Sequence, residues 1–397
     1  MSSHFSTEVT FAPLEDDAII AYTRKELLRG GPVDTACRRV LSSSRASKDP
    51  GMSLLRDAML SLSTIFFGKQ HKQPKISNRG YHLYGAVLAR LNLHLAQSEF
   101  QTTNETILTV LTCNLLEIFL PTGKNNFLKH IRGLETILTM RGPPEQPLSD
   151  EEHTIFTGLR LLLIVGGLTM STPTIYARDR WKALPSKTED DNGQVRRSIM
   201  NILADCTCLR STHDAYIRGD FGAYQFLIDE SKSQYERLEI LHPIWVAINK
   251  AEGGDATPPS GKAQMANQNC ATTYMLYNTT VICLMNILNS LKPSPRHESL
   301  RTGAALRIAK CLEWKQFQRD GLDAEGNTIG FVAVRVAWTV LGGFETPEGR
   351  KLARVVRSVV NDIFAVGAWE GDPAGSPRID PGSPDRIMWV DDVTEPW

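Results

Sequence analysis

Glu105-Thr106-Ile107-Leu108-Thr109-Val110-Leu111-Thr112-Cys113-Asn114-Leu115-Leu116-Glu117-Ile118-Phe119-Leu120 is the stretch that decides the fold class. Ile107, Leu108, Leu111, Leu115, Ile118 and Phe119 recur at three and four residues, the period of a helix with one apolar face. Asn104 stands before the run as an N-cap, and Pro121 with Gly123 ends it. The rhythm continues on either side. Leu54, Ala58, Leu62 and Ile65 carry it upstream, as do Leu83, Val87, Leu91 and Leu95. Downstream it recurs in 127–140, 150–166 (capped by Ser149), 196–216, 221–241, 270–291, 299–317, 331–341 and 347–364. Period-two alternation is nearly absent, and no repeat of fixed length is found. The expectation is an all-α protein built as a single large multi-helix bundle.

Residues 186–193, 253–262 and 371–384 read as loops, acidic or rich in glycine and proline. They are too short to act as domain linkers, and the chain is expected to comprise an N-terminal arm with a short helix (1–50), one continuous bundle domain (51–370) with a soft seam near Thr188, and a tail (371–397). The 397 residues carry 44 basic and 44 acidic side chains, and 42% of them are hydrophobic. That composition supports a buried core and excludes a wholly disordered chain. Zero net charge argues against a polyelectrolyte partner for nucleic acid or an anionic membrane. No signal peptide is read at the N-terminus, and the apolar stretch near 159–168 is too short to span a bilayer. The seven scattered cysteines read as reduced core thiols of an intracellular protein. Cys206-Thr207-Cys208 lacks the companions of a zinc site.

Standard catalytic signatures (a phosphate-binding loop, a zinc-protease helix, a serine elbow) are missing. Asp391-Asp392-Val393-Thr394-Glu395 has the form of a magnesium-diphosphate motif but reads as a solvated tail, and Asn361-Asp362 with Glu370 fits such a motif poorly. Glu117 and Asp205 sit inside apolar helices, where a carboxylate needs a partner or a metal. His130 reads as structural. On the helix ending at Lys292, residues Tyr274, Asn278, Val281, Met285, Leu288 and Lys292 are spaced 4, 3, 4, 3, 4 and share one face. Two readings stay open. The face is core, with a lysine reaching out at the helix end, or it is the wall of an apolar pocket closed by a cation.

Several segments together resemble the fungal-specific transcription factor domain. They are 54–62, 84–92, 105–117, His130-Ile131-Arg132-Gly133-Leu134-Glu135 through Arg141-Gly142, and Pro173-Thr174-Ile175-Tyr176-Ala177 with Trp181 and Pro185. The resemblance implies an all-α bundle in which Glu117, His130 and Arg132 serve the fold. Regulators of that family carry six cysteines in a basic N-terminal cluster. Here only Cys37 precedes residue 113, so direct nucleic-acid binding is not expected.

Leu288 and Lys292, four residues apart near the end of an apolar helix, also resemble the arrangement in the non-canonical humulene synthases of fungal tropolone-sesquiterpenoid pathways. That resemblance implies a sesquiterpene cyclase acting on farnesyl diphosphate with Mg2+. Lys292 would hold the diphosphate. Leu288, Met285 and Val281 would line the cavity, with Asn278 at its edge and Tyr274 or Tyr277 facing the carbocation. Glu117 and Asp205 would be the metal ligands. The cyclase, cytoplasmic and without a membrane partner, is the first expectation. The alternative is a transcriptional regulator or ligand-sensing domain without its DNA-binding head, resident in the nucleus.

Overall fold

A computed structural model describes residues 12–28, 30–43, 49–123, 125–145, 147–184, 190–255, 264–312 and 324–359. Among them the chain is all-α, and the sole extended pairing is an isolated bridge between Asp255 and Gln264. The acidic motif at 391–395, the Asn361–Glu370 segment and the loop at 371–384 lie outside the described residues. The helices sort into two compact units, divided between Leu120 and Pro121.

The first unit holds α1 (Ala12–Glu26), α2 (Gly31–Ser42), α3 (Pro50–Gln70), α4 (Pro74–Leu95) and α5 (Asn104–Phe119). The sequence reading expects an arm with one short helix before residue 51. Instead Ile20, Ala36, Cys37 and Val40 of α1 and α2 are buried. α3 and α4 form an antiparallel hairpin in near-backbone contact. A Cβ on Gly80 would stand 2.5 Å from Ile65 Cγ1 and 2.8 Å from its backbone nitrogen. Ser61 fixes the register by donating to the Gly80 carbonyl at 3.1 Å. α5 lies against α3, where the Thr112 hydroxyl meets Met59 Sδ at 3.5 Å. The cap of α5 is Thr103 rather than Asn104. The Thr103 hydroxyl accepts from the Thr106 amide, which leaves Asn104 as the first helical residue.

The second unit holds α6 (Asn126–Arg141), α7 (Asp150–Met170), the short α8 (Asp179–Lys182), α9 (Asp191–Ile217), α10 (Tyr224–Ala251), α11 (Gln268–Leu291), α12 (Pro295–Leu312), α13 (Ala324–Val340) and α14 (Pro347–Val359). α11 is its axis, packed against α9, α10, α12 and α13. Every residue from Cys270 to Ile282 is buried. A helix buried all round is a core helix, not a surface helix with one apolar face. Its threonines stay satisfied by donating to carbonyls four residues back, as Thr279 does to Met275 and Thr280 to Leu276.

α7 opens with the expected Ser149 cap, completed to a capping box by Glu152. Among the described residues it alone has the length and apolar content to cross a membrane. Ile155, Leu159, Leu163 and Ile164 are nevertheless buried in the fold, and its first turn carries Asp150, Glu151 and Glu152. Those are the marks of a core helix.

Candidate functional site

The expected site residues of α11 separate by environment. Val281, Met285 and Leu288 are core side chains, each at most 2% exposed. Lys292 is the residue that ends α11. Its amide donates to the Leu288 carbonyl at 2.8 Å, and its side chain is exposed. This matches the reading in which the helix is core and the lysine reaches into water at the negative end of the helix dipole.

Asn278 and Tyr274 belong to a different arrangement. Asn278 is fully buried, so both ends of its amide need partners. Its Nδ2 donates to the Tyr274 carbonyl at 2.8 Å, and its Oδ1 accepts from Arg307 Nε at 2.7 Å. Arg307 comes from α12. Around it stand Tyr274 and Tyr277 of α11 and His242 and Trp245 of α10. Trp245 and Tyr274 stack at 4.3 Å with planes 10° apart, and His242 lies 5.2 Å from the Tyr277 ring. Trp245 Nε1 donates to the Cys270 carbonyl at 3.0 Å. Burial and then the Arg307 charge hold His242 below the usual imidazole range. Burial, followed by the nearby Glu239 carboxylate, pushes Tyr277 up to about 12. At neutral pH the cluster is therefore neutral rings around one guanidinium. Trp245, Tyr274, Tyr277 and Asn278 are all buried, so the cluster is a packing junction of α10, α11 and α12.

The sequence points to Tyr274, Asn278 and Tyr277, but His242, Trp245 and Arg307 escape it. One signal was present. An asparagine inside an apolar helix needs a partner from a neighbour, and Arg307 interrupts the apolar run Ala304-Ala305-Leu306-Arg307-Ile308.

The two carboxylates expected to hold magnesium do not fit that role. Asp205 forms an ion pair with Lys182, lies 3.7 Å from Arg237 and accepts from Gln234 Nε2 at 3.4 Å. Three nitrogen donors surround an oxygen ligand that a hard dication would have to claim. Glu117, 2% exposed, accepts from the Tyr84 hydroxyl at 2.9 Å and belongs to the other unit. Nor do Asp205 and Lys292 converge. α9 and α11 run in parallel, since Arg196 meets Thr273 and His213 meets Ser290. That register sets Asp205 beside Ile282, about 15 Å along the axis from Lys292. Among the described residues no group of three or more His, Cys, Asp or Glu is placed to hold a metal.

A third constellation joins segments far apart in sequence. Glu135 of α6 accepts from the Thr174 hydroxyl at 2.5 Å and from the Ile175 amide at 3.2 Å. The Tyr176 hydroxyl donates to the Phe156 carbonyl at 2.7 Å, and its ring lies edge-on to Trp181. Arg160 sits over the Tyr176 ring and donates to the Trp181 carbonyl at 3.2 Å. The segments 130–135 and 173–181 thus form one structural knot. The sequence model of the fungal specific transcription factor domain matches residues 36–314. The chain belongs to that family. No curated protein and no solved structure matches it. In this fungal transcription factor domain the family segments carry the fold, and the Glu135 knot lies within them. The matched span runs from α2 through α12, across both units.

Proposed function

We propose that the chain is the regulatory domain of a fungal transcription regulator, resident in the nucleus and acting through contacts with other proteins. The family match over residues 36–314 carries this reading. The burial of the ring-and-arginine cluster of α10, α11 and α12 fits it, because those side chains serve packing. The reading also accounts for an exposed Lys292 and for an Asp205 engaged with Lys182.

The test is to fuse the full chain to an unrelated DNA-binding domain in a fungal host and read a reporter placed behind that domain's sites. The expected outcome is a several-fold change in reporter output over the DNA-binding domain alone. Purified chain is incubated in parallel with farnesyl diphosphate, with and without magnesium, and the extract is read by gas chromatography and mass spectrometry. A magnesium-dependent hydrocarbon lost on Lys292→Ala would overturn the regulator and establish the cyclase. A silent reporter from folded, nuclear protein would also count against the regulator.

A further inference from the structure

The junction of α10, α11 and α12 packs its rings but leaves three polar ends open. Arg307 is half-buried, and its Nε donates to Asn278 Oδ1 at 2.7 Å. Asn278 is anchored in turn on the Tyr274 carbonyl. That bond holds one edge of the guanidinium and leaves Nη1 and Nη2 to other partners. Among the described residues neither nitrogen has an acceptor, and Arg307 has no ion pair. A Cβ on Gly303, one turn earlier, would stand 3.4 Å from Nη1, so the missing side chain leaves room at the fork.

The Tyr277 residue is only 9% exposed, yet its hydroxyl has no hydrogen-bond partner among the described residues. The half-buried His242 ring lies 5.2 Å from the Tyr277 ring, and neither of its nitrogens is bonded there. Buried polar groups are as a rule paired. Packing uses the rings and has no need of a hydroxyl, an imidazole nitrogen or a guanidinium fork. Three open donors at one place, one of them charged, are the makings of a binding site.

The donor set defines the ligand. A planar guanidinium fork matches the two oxygens of a carboxylate. The Tyr277 hydroxyl and the single N–H of a neutral His242 supply donors for the remaining lone pairs. One guanidinium balances one negative charge. Glu239 acts electrostatically on both Tyr277 and His242, and its carboxylate accepts from the Tyr235 hydroxyl at 2.7 Å rather than from Arg307. It disfavours a second negative charge on the ligand, so a phosphate dianion fits less well than a carboxylate.

We propose that Arg307, Tyr277 and His242 form a binding site for the carboxylate of a small organic monoacid. The site stands on these contacts and not on the regulator reading.

Acetate and benzoate are the probes, titrated calorimetrically into the purified full chain at pH 7, with inorganic phosphate and diphosphate as comparison anions. Wild type should bind at least one of the two carboxylates saturably, and more tightly than either phosphate. Arg307→Gln should weaken that binding by about tenfold or more, and Tyr277→Phe, which removes one donor, by about fivefold. Lys310→Gln, which removes the same charge from an exposed position three residues on, should leave it unchanged. Because the Tyr277 hydroxyl has no partner in the fold, Tyr277→Phe should not lower the urea midpoint, and its weaker binding is then not a loss of fold. The absence of saturable carboxylate binding by folded wild type would overturn the inference. So would tighter binding of phosphate or diphosphate, an unchanged affinity in Tyr277→Phe, or equal weakening by Lys310→Gln and Arg307→Gln.

Discussion

Glu135 shows what one side chain contributes in this domain. Its carboxylate accepts from Thr174 and Ile175 and so ties the segment after α7 to α6. Burial outweighs those hydrogen bonds and raises its pKa. Glu135→Ala would strand the Ile175 amide and should lower stability by about 2 kcal/mol. Glu135→Gln, which keeps an acceptor, should cost clearly less. Urea midpoints for the two variants decide it, and equal losses would mean that packing rather than hydrogen bonding holds the knot. The histidines give a pH prediction. His94, His213 and His242 are all held below the ordinary imidazole value of 6.5, chiefly by burial. Their folded-state pKa values are depressed. Below pH 6.5 the unfolded chain therefore takes up protons that the folded chain refuses, and stability falls with pH until the folded-state values are reached. His213 is 3% exposed, lies against Ser290 and has Arg210 nearby. His213→Asn should flatten the loss between pH 7.5 and 5.5. An unchanged slope would remove His213 from the account.

At the level of the element, α10 passes through Pro243, although a proline predicts a stop near Leu241. Pro243 is exposed, so the Glu239 carbonyl left without its amide donor can turn to water. The residues beyond it are well anchored, with Trp245 bonded to Cys270 and Asn249 to Gln264 and Ala266. Tertiary contacts thus outweigh a local penalty of about 3 kcal/mol. Pro243→Ala should raise stability by about 1–2 kcal/mol, the restored helix bond being partly offset by a freer unfolded chain. A lower midpoint would mean that the break in the ladder is needed. Helix existence was readable from the 3.6-residue period in most of the chain, and the Ser149 cap was readable from its side chain. Of α1 and α2 only one short helix was expected, although Val33, Ala36, Cys37 and Val40 of α2 recur at three and four residues, a signal the reading left unused. The site was less readable for a different reason. Spacing shows that Tyr274 through Lys292 share a face of α11, but not that the opposite face is buried as well. What lies across from a helix is decided by tertiary packing, here by α9, α10, α12 and α13 around it.

For the molecule as a whole, the thiols report on both units at once. All seven cysteines are free. Burial pushes the thiols of Cys37 and Cys113 in the first unit, and of Cys270, Cys283 and Cys311 in the second, up to about 12, and holds Cys206 well above the usual thiol range. The thiolate is the reactive form, so all six are protected by protonation, and Cys37, Cys113, Cys206, Cys270 and Cys311 are shielded sterically as well. Cys208 and Cys283 are partly exposed, and burial raises the Cys208 thiol as well. Reaction of the native chain with Ellman's reagent at pH 8 should show two faster thiols, Cys208 and Cys283, and five that react only as the fold opens, with all seven reacting at once in urea. Cys37 and Cys113 sit in one core and the remaining protected thiols in another, so each set should become labelled together, at the opening rate of its own unit. Mapping the labelled peptides with time checks this. Rapid native labelling of Cys113 or Cys206 would contradict the packing of α5 or α9, and thiols of one unit labelling at scattered rates would deny that the unit opens as a whole.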